Sequence, residues 1–310
     1  MNNNKNIIFI SCVEYGFDIL KVILEKDYKI KAIISLNQNQ AEKYNISGYK
    51  SFEKISQDYK IPIYYPHDYS LKNKQDLEEI KNLNPDLFLV FGWQRLIPEE
   101  ILKLPFLGTI GAHGSNWKLP KGKGRSPVNW SLIENRKKFI IHIFYFDLEI
   151  DSGDIIDFFE FEINLFDTVR TIYQKISILI GRMLIKNFDL ILTKQSFCTP
   201  QQGKSTFYPK RKPEDGLINW NKSSMEIYNF IRALTKPYPG SFTFLNNKKI
   251  FIWKAQPFDS KIKFLNKKPG SILELFSNGD FLVKTKDSSL LITNFKGILI
   301  NKIKKGDCLL

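Results

Sequence analysis

A chain of 310 residues with 43% hydrophobic content is long enough for two domains and apolar enough to pack them, yet charge interrupts every apolar run well short of a membrane span. Three scattered cysteines (Cys12, Cys198, Cys308), only three histidines and an N-terminus that reads directly as a strand argue against a disulfide framework, a metal site or a signal peptide, so a reducing cytoplasm is expected. The formal charge of +14 suits nucleic acid or phosphorylated substrates, but the basic residues are spread along a chain rich in Lys, Asn and Ile, and composition alone accounts for most of it.

Residues 6–10 form a buried-strand candidate, 17–24 carry a helical apolar face, and 30–36 read as a second strand. This β-α-β pattern predicts a parallel sheet with right-handed crossovers. No GxGxxG follows the first strand, so a dinucleotide site has no support. Residues 38–47 are polar and read as a loop. Surface helices are expected over 51–59 and 72–82, around a strand at 61–65. The run 87–91 is continuously apolar and predicts a central parallel strand. It leads into Gly92, which permits close approach of a ligand, and Trp93, whose flat surface suits ring binding or core packing about equally. A strand over 108–112 ends at His113, and a loop rich in Gly, Ser, Lys and Pro follows. Pro127 opens a helix to about residue 136. An alternating strand, 139–146, runs into an acidic turn, 147–154, and strand-like sequence resumes over 155–163. Asp167 caps a long helix to about residue 186. Polar residues 201–205 mark a boundary between 1–203 and 204–310. Beyond it, a Ser223-x-x-Glu226 capping box opens a helix, and five short strands between 242 and 293 fit a small open barrel.

His113 and Asp151 thus stand at the ends of two strands that could be neighbours. Singly, each is more often a polar cap or a plain turn. Together they supply what acyl transfer requires: one group to stabilise developing charge and one to take a proton.

The ordered set His113-Gly114-Ser115, Leu119-Pro120, Gly124-Arg125-Ser126-Pro127-x-Asn129-Trp130 and Asp151-Ser152-Gly153-Asp154-Ile155 resembles the signature of formyltransferases that use 10-formyltetrahydrofolate. The resemblance covers nearly the whole chain. It implies an α/β fold, with a Rossmann-like parallel-sheet catalytic domain over 1–203 and an OB-like β-barrel domain over 204–310. It also implies 10-formyltetrahydrofolate as co-substrate without a metal, and catalytic roles for His113 and Asp151. Phe91, Gly92, Trp93, Ile97, Asp147 and Ile150 are the implied folate contacts. Lys123, Arg125, Lys210 and Arg211 are candidates for holding phosphate, a solvated basic hinge being an equal account of the last two. The His-Gly-Ser and Arg-Ser-Pro-x-Asn-Trp forms are similar to enzymes that make formamido sugars, so the implied partner is a nucleotide-linked amino sugar. Methionyl-tRNA is the second acceptor, and a homodimer and the absence of membrane contact are further expectations. One departure stands out. The family places Asn two residues before its His, and this chain has Gly111 there. A missing oxyanion donor costs roughly 3–4 kcal/mol of transition-state stabilisation. Asn116 and Asn129 are candidate substitutes, and a non-catalytic folate- or RNA-binding protein is the alternative.

Overall fold

The computed structural model describes residues 5–310; residues 1–4 of the N-terminal stretch lie outside it. The described chain divides into two units: residues 5–124, 138–162 and 173–208 form the first, and 125–137, 163–172 and 209–310 the second.

The first unit is built on β1 (Ile7–Ile10), β2 (Ala32–Ile34), β3 (Ile63–Tyr64), β4 (Leu87–Val90), β5 (Thr109–Ser115), a short β6 (Lys123–Gly124), β7 (Lys138–Tyr145), β8 (Ile155–Glu162) and a short β9 (Phe207–Tyr208). Seven of these form one sheet in the order β3-β2-β1-β4-β5-β7-β8. β1 and β4 are buried along their whole length, as continuous apolar runs covered on both faces must be. Helix Glu14–Leu24 buries Ile19, Leu20, Ile23 and Leu24 at helical spacing. The sheet is mixed, which corrects the expectation of a wholly parallel one: β5 and β7 pair antiparallel, as do β7 and β8. The short acidic turn joining β7 to β8 is too brief for a crossover, so it can only make a hairpin. β6 and β9 pair with each other in a separate parallel ribbon.

Two segments differ from expectation. Residues 38–47 include a helix, Gln38–Lys43, started by a reciprocal capping box between Asn37 and Gln40. β5 does not stop at His113 but runs through it to Ser115.

In the second unit, helices Pro127–Ile133 and Ser224–Leu234 are tied together by Asn129, whose Nδ2 donates to the Ala233 carbonyl at 2.7 Å. Its sheet has five antiparallel strands, β10 (Ser241–Leu245), β11 (Lys248–Pro257), β12 (Ile272–Leu275), β13 (Phe281–Lys284) and β14 (Ser289–Lys296), in the order β10-β11-β14-β13-β12. Ile227 and Ile231 of the second helix pack into the core under this sheet with Ile250, Ile252 and Phe281. The capping box is formed: Ser223 accepts from the Glu226 N–H, and the Glu226 carboxylate accepts from the Ser223 N–H at 2.9 Å. These Ser223 hydrogen bonds, with Lys222, hold the Glu226 pKa down at about 2. Ser223→Ala should cost about 1 kcal/mol in chemical denaturation. Because the folded pKa is depressed, the Glu226 contribution is present above the ordinary carboxylate range. It is lost as pH falls towards 2, and Glu226→Gln should flatten that part of the stability profile.

Among the described residues, no helix is long and apolar enough to cross a membrane, and no group of three His, Cys, Asp or Glu side chains is placed to hold a metal ion.

Candidate active site

His113 lies inside β5, next to the point where the loop to β6 folds back. That loop is organised by Ser115, whose hydroxyl accepts from the Trp117 N–H at 3.0 Å and donates to the Trp117 carbonyl at 2.9 Å. Thr206 pins its far end: the Gly122 N–H donates to Oγ1 and the Lys123 N–H to the Thr206 carbonyl, both at 2.9 Å. The result sets the Gly122 carbonyl 2.8 Å from His113 Nε2. A carbonyl only accepts, so Nε2 carries a proton in this arrangement.

The other ring nitrogen, Nδ1, lies 3.2 Å from Asp151 Oδ2, and the His113 side chain is 9% exposed. Asp151 takes a left-handed conformation (φ 51°) that short polar side chains tolerate. Gln201 clamps the turn around it, with Nε2 donating at 2.8 Å to the carbonyls of both Asp151 and Gly153. Asp151 Oδ2 also accepts the Gly124 N–H at 3.3 Å. The imidazole and carboxylate, brought together from β5 and from the turn after β7, are therefore fixed from both sides. Such a pair can hold, donate or accept a proton at a reacting centre.

Gly111 sits two residues before His113 and on the same face of β5. A Cβ there would run into Cε1 and Cζ of Phe146, with Cδ1 at 3.1 Å. The Phe146 ring, packed against Phe144 with centroids 5.5 Å apart, fills the space beside the histidine. Of the two candidate substitute donors, Asn129 belongs to the second unit and spends its amide N–H on Ala233. Asn116 follows β5 directly, is buried, and accepts the Tyr208 hydroxyl at 2.6 Å through Oδ1.

The candidate folate contacts all fall in the first unit. Phe91 and Ile97 are buried, Asp147 and Ile150 exposed. Gly92 turns the chain out of β4 with φ 90°, a conformation suited to glycine. Trp93 packs edge-on against Tyr69, centroids 4.7 Å apart, and its buried indole N–H has no acceptor among the described residues. An unsatisfied buried donor is costly, and Trp93 belongs to the hydrophobic core of the first unit.

The basic candidates divide between the units. Lys123 is in the first, on β6, and is only 4% exposed. Its ammonium has no ion-pair partner among the described residues. Arg125, Lys210 and Arg211 are in the second. Arg125 and Lys210 are exposed, whereas Arg211 lies between Trp130 and Phe230, 5.0 and 5.6 Å from their ring centroids, and donates to the Asp215 carbonyl.

The sequence gives no sign of three further features. One is the Gly122 carbonyl on His113, a backbone group without a side-chain signature. The second is the Phe146 ring over Gly111. The third is His142, which lies directly opposite His113 in the β5–β7 pairing and is 1% exposed. Burial pushes its pKa down to about 4; the His113 backbone pulls the other way, and the positive charges of His113 and Lys118 add to the depression. Below its usual value near 6.5 the unfolded chain binds a proton that the folded chain refuses. Stability should therefore fall as pH drops from about 6.5 to about 4, and His142→Gln should weaken this slope in denaturation curves taken across that range.

Residues 9–187 match the formyl transferase family, and residues 210–298 match the formyl transferase C-terminal domain. The chain is 34% identical over 304 residues to the bifunctional polymyxin resistance protein ArnA of Wigglesworthia glossinidia brevipalpis. That match takes in 96% of this chain but 44% of the relative, so the chain spans less than half its length. Identity to the methionyl-tRNA formyltransferase of Alkaliphilus oremlandii is 30% over 315 residues, covering 98% of this chain and 99% of that one. Among solved structures, WlaRD, a sugar 3N-formyl transferase crystallised with dTDP and 5-N-formyl-THF, superposes with a TM-score of 0.65 over 95% of this chain and 99% of its own. At 23% identity that likeness is one of fold.

Proposed function

From the premise that this chain belongs to the formyltransferase family, we propose that it transfers a formyl group from 10-formyltetrahydrofolate to the amine of a nucleotide-linked amino sugar. The observation that carries the chemistry is the His113–Asp151 pair. The folate donor supplies the formyl carbon. His113 Nε2–H exchanges the Gly122 carbonyl for the formyl oxygen and stabilises the charge that develops there. Asp151 holds the ring through Nδ1 and accepts the proton shed by the attacking amine, directly or through water; as the tetrahedral intermediate collapses, the bond from the formyl carbon to the folate N10 breaks and that proton passes to N10, releasing tetrahydrofolate. Asn116 is the better candidate for a second donor, because the Asn129 amide is committed elsewhere. Trp93 and its neighbours Phe91, Gly92 and Ile97, with Asp147 and Ile150, would bind the folate.

The acceptor reading rests on Lys123. A lysine whose side chain is largely covered and whose ammonium has no carboxylate partner suits an anion, and its neighbour Gly124 donates its N–H to Asp151. A phosphate on Lys123 would thus bring its attached sugar to the catalytic carboxylate; Arg125, Lys210 and Arg211, in the second unit, are phosphate candidates by their charge alone. In this reading, residues 1–203 are catalytic and 204–310 form an OB-like module, whose fold implies no particular ligand. The second reading, methionyl-tRNA as acceptor, is favoured by the full-length match to the Alkaliphilus enzyme. Side-by-side kcat/KM values decide between them. Amino-sugar nucleotides should exceed methionyl-tRNA by at least about a hundredfold, and tRNA binding should fade steeply with salt. A tight, salt-tolerant preference for initiator tRNA would reverse the assignment.

A further inference from the structure

After helix Val169–Leu192 the chain comes back to the candidate site, and Thr206 meets the loop that follows β5. Both belong to the first unit. Thr206 uses two groups there. Its Oγ1 accepts the Gly122 N–H and its carbonyl accepts the Lys123 N–H, each at 2.9 Å.

The geometry of one peptide carries this contact to the histidine. The bond between Gly122 and Lys123 is trans, so its N–H and C=O point in opposite directions. With the Lys123 N–H held on Thr206, the Gly122 carbonyl is aimed the other way, at His113 Nε2, 2.8 Å off. The peptide before it is fixed by Oγ1. Gly122 is buried with φ 75°, and a Cβ there would collide with Ser115, so the loop makes this turn on a glycine. The carbonyl keeps the imidazole proton on Nε2, the nitrogen that must donate to the formyl oxygen. In the other tautomer a bare lone pair would face the developing negative charge. Asp151 is held separately, by the two hydrogen bonds from Gln201, so a change at Thr206 reports on His113.

We propose that Thr206 is a positioning residue for formyl transfer: acting through Gly122, it sets the tautomer and orientation of His113. The kinetic consequence rests on the formyl-transfer reading, whereas the placement of the ring proton does not.

Two variants and two measurements test this. Thr206→Val keeps the side-chain shape and the backbone carbonyl but removes Oγ1, and Thr206→Ser returns it. The side chain is exposed, so both variants should melt near the parent. The acceptor is whichever member of a panel of dTDP-, UDP- and GDP-linked amino sugars the parent formylates from 10-formyltetrahydrofolate. Thr206→Val should lower kcat by about tenfold or more and leave both KM values within about twofold, because a misplaced catalytic group slows the chemistry rather than binding. Thr206→Ser should stay within about threefold of the parent. The second measurement needs no turnover. In the chain labelled with nitrogen-15 at its three histidines, the His113 signal is identified by its loss in His113→Gln. Its Nε2 proton should exchange with solvent at least about tenfold faster in Thr206→Val than in the parent or in Thr206→Ser, since the loop that shields it opens more often. If the parent formylates none of the panel, the functional reading fails and ring-proton exchange alone decides the role of Thr206. Parent-like kcat in Thr206→Val, an equal loss in Thr206→Ser, or unchanged ring-proton exchange in Thr206→Val would overturn the proposal.

Discussion

Replacing His113 or Asp151 with alanine should lower formyl-transfer turnover by at least about a hundredfold, the usual effect of removing a general acid–base or oxyanion group. Asp151→Asn sharpens the test. Asparagine tolerates the left-handed backbone at this position and keeps an oxygen for the Gly124 N–H, so the turn clamped by Gln201 should survive. What it loses is the ability to take a proton. Turnover should therefore collapse in Asp151→Asn while the melting temperature stays near that of the parent. A variant that keeps near-normal turnover would remove the carboxylate from the mechanism. His113→Ala additionally frees the Gly122 carbonyl, so a modest loss of loop order is expected beside the loss of rate, and thermal melts separate the two.

Gly111→Asn should be harmful, although it restores the residue of the family pattern. The new Cβ would run into the Phe146 ring, which packs beside Phe144 and against the core of the first unit. Forcing side-chain atoms into filled space costs roughly 1–3 kcal/mol, and the displacement would fall beside His113 on the same face of the strand. Stability and turnover should both drop. The double variant Gly111→Asn/Phe146→Ala removes the obstacle, so its loss of stability should be smaller than the sum of the two single losses by about 1 kcal/mol or more. Strict additivity would show that Gly111 and Phe146 do not share this space. A gain in turnover from Gly111→Asn alone would show that the ring yields readily and that the natural chain lacks a donor it could use.

The sequence disclosed the parts of this site that side chains announce. A histidine at a strand and an acidic turn with Ser-Gly singled out His113 and Asp151 once the ordered motifs around them resembled a known family, and the structure sets the two side chains 3.2 Å apart. What escaped was set by backbone groups or by cross-strand register. The Gly122 carbonyl reaches His113 only because Thr206, more than eighty residues away in sequence, pins the loop. Phe146 fills the Gly111 space because β5 and β7 pair antiparallel in one particular register, and periodicity along a single strand does not report register. The burial of Lys123 depends on the β6–β9 ribbon, whose two-residue strands are too short to show a pattern. In the fold, apolar runs marked β1 and β4 plainly. The helix Gln38–Lys43 is masked by its capping residues Asn37 and Gln40, which also look like loop polarity, and a β-α-β start is common to parallel and mixed sheets, so it does not report the antiparallel edge.

The most direct test of the central claim is a single-turnover experiment with 10-formyltetrahydrofolate carrying a carbon-13 formyl group, mixed with a panel of nucleotide-linked amino sugars and followed by mass spectrometry. The label should appear as a formamide on one of these sugars, at a rate that Asp151→Asn reduces by at least about a hundredfold. Label that stays on the folate or is released as free formate with every sugar, while methionyl-tRNA becomes labelled instead, would contradict it.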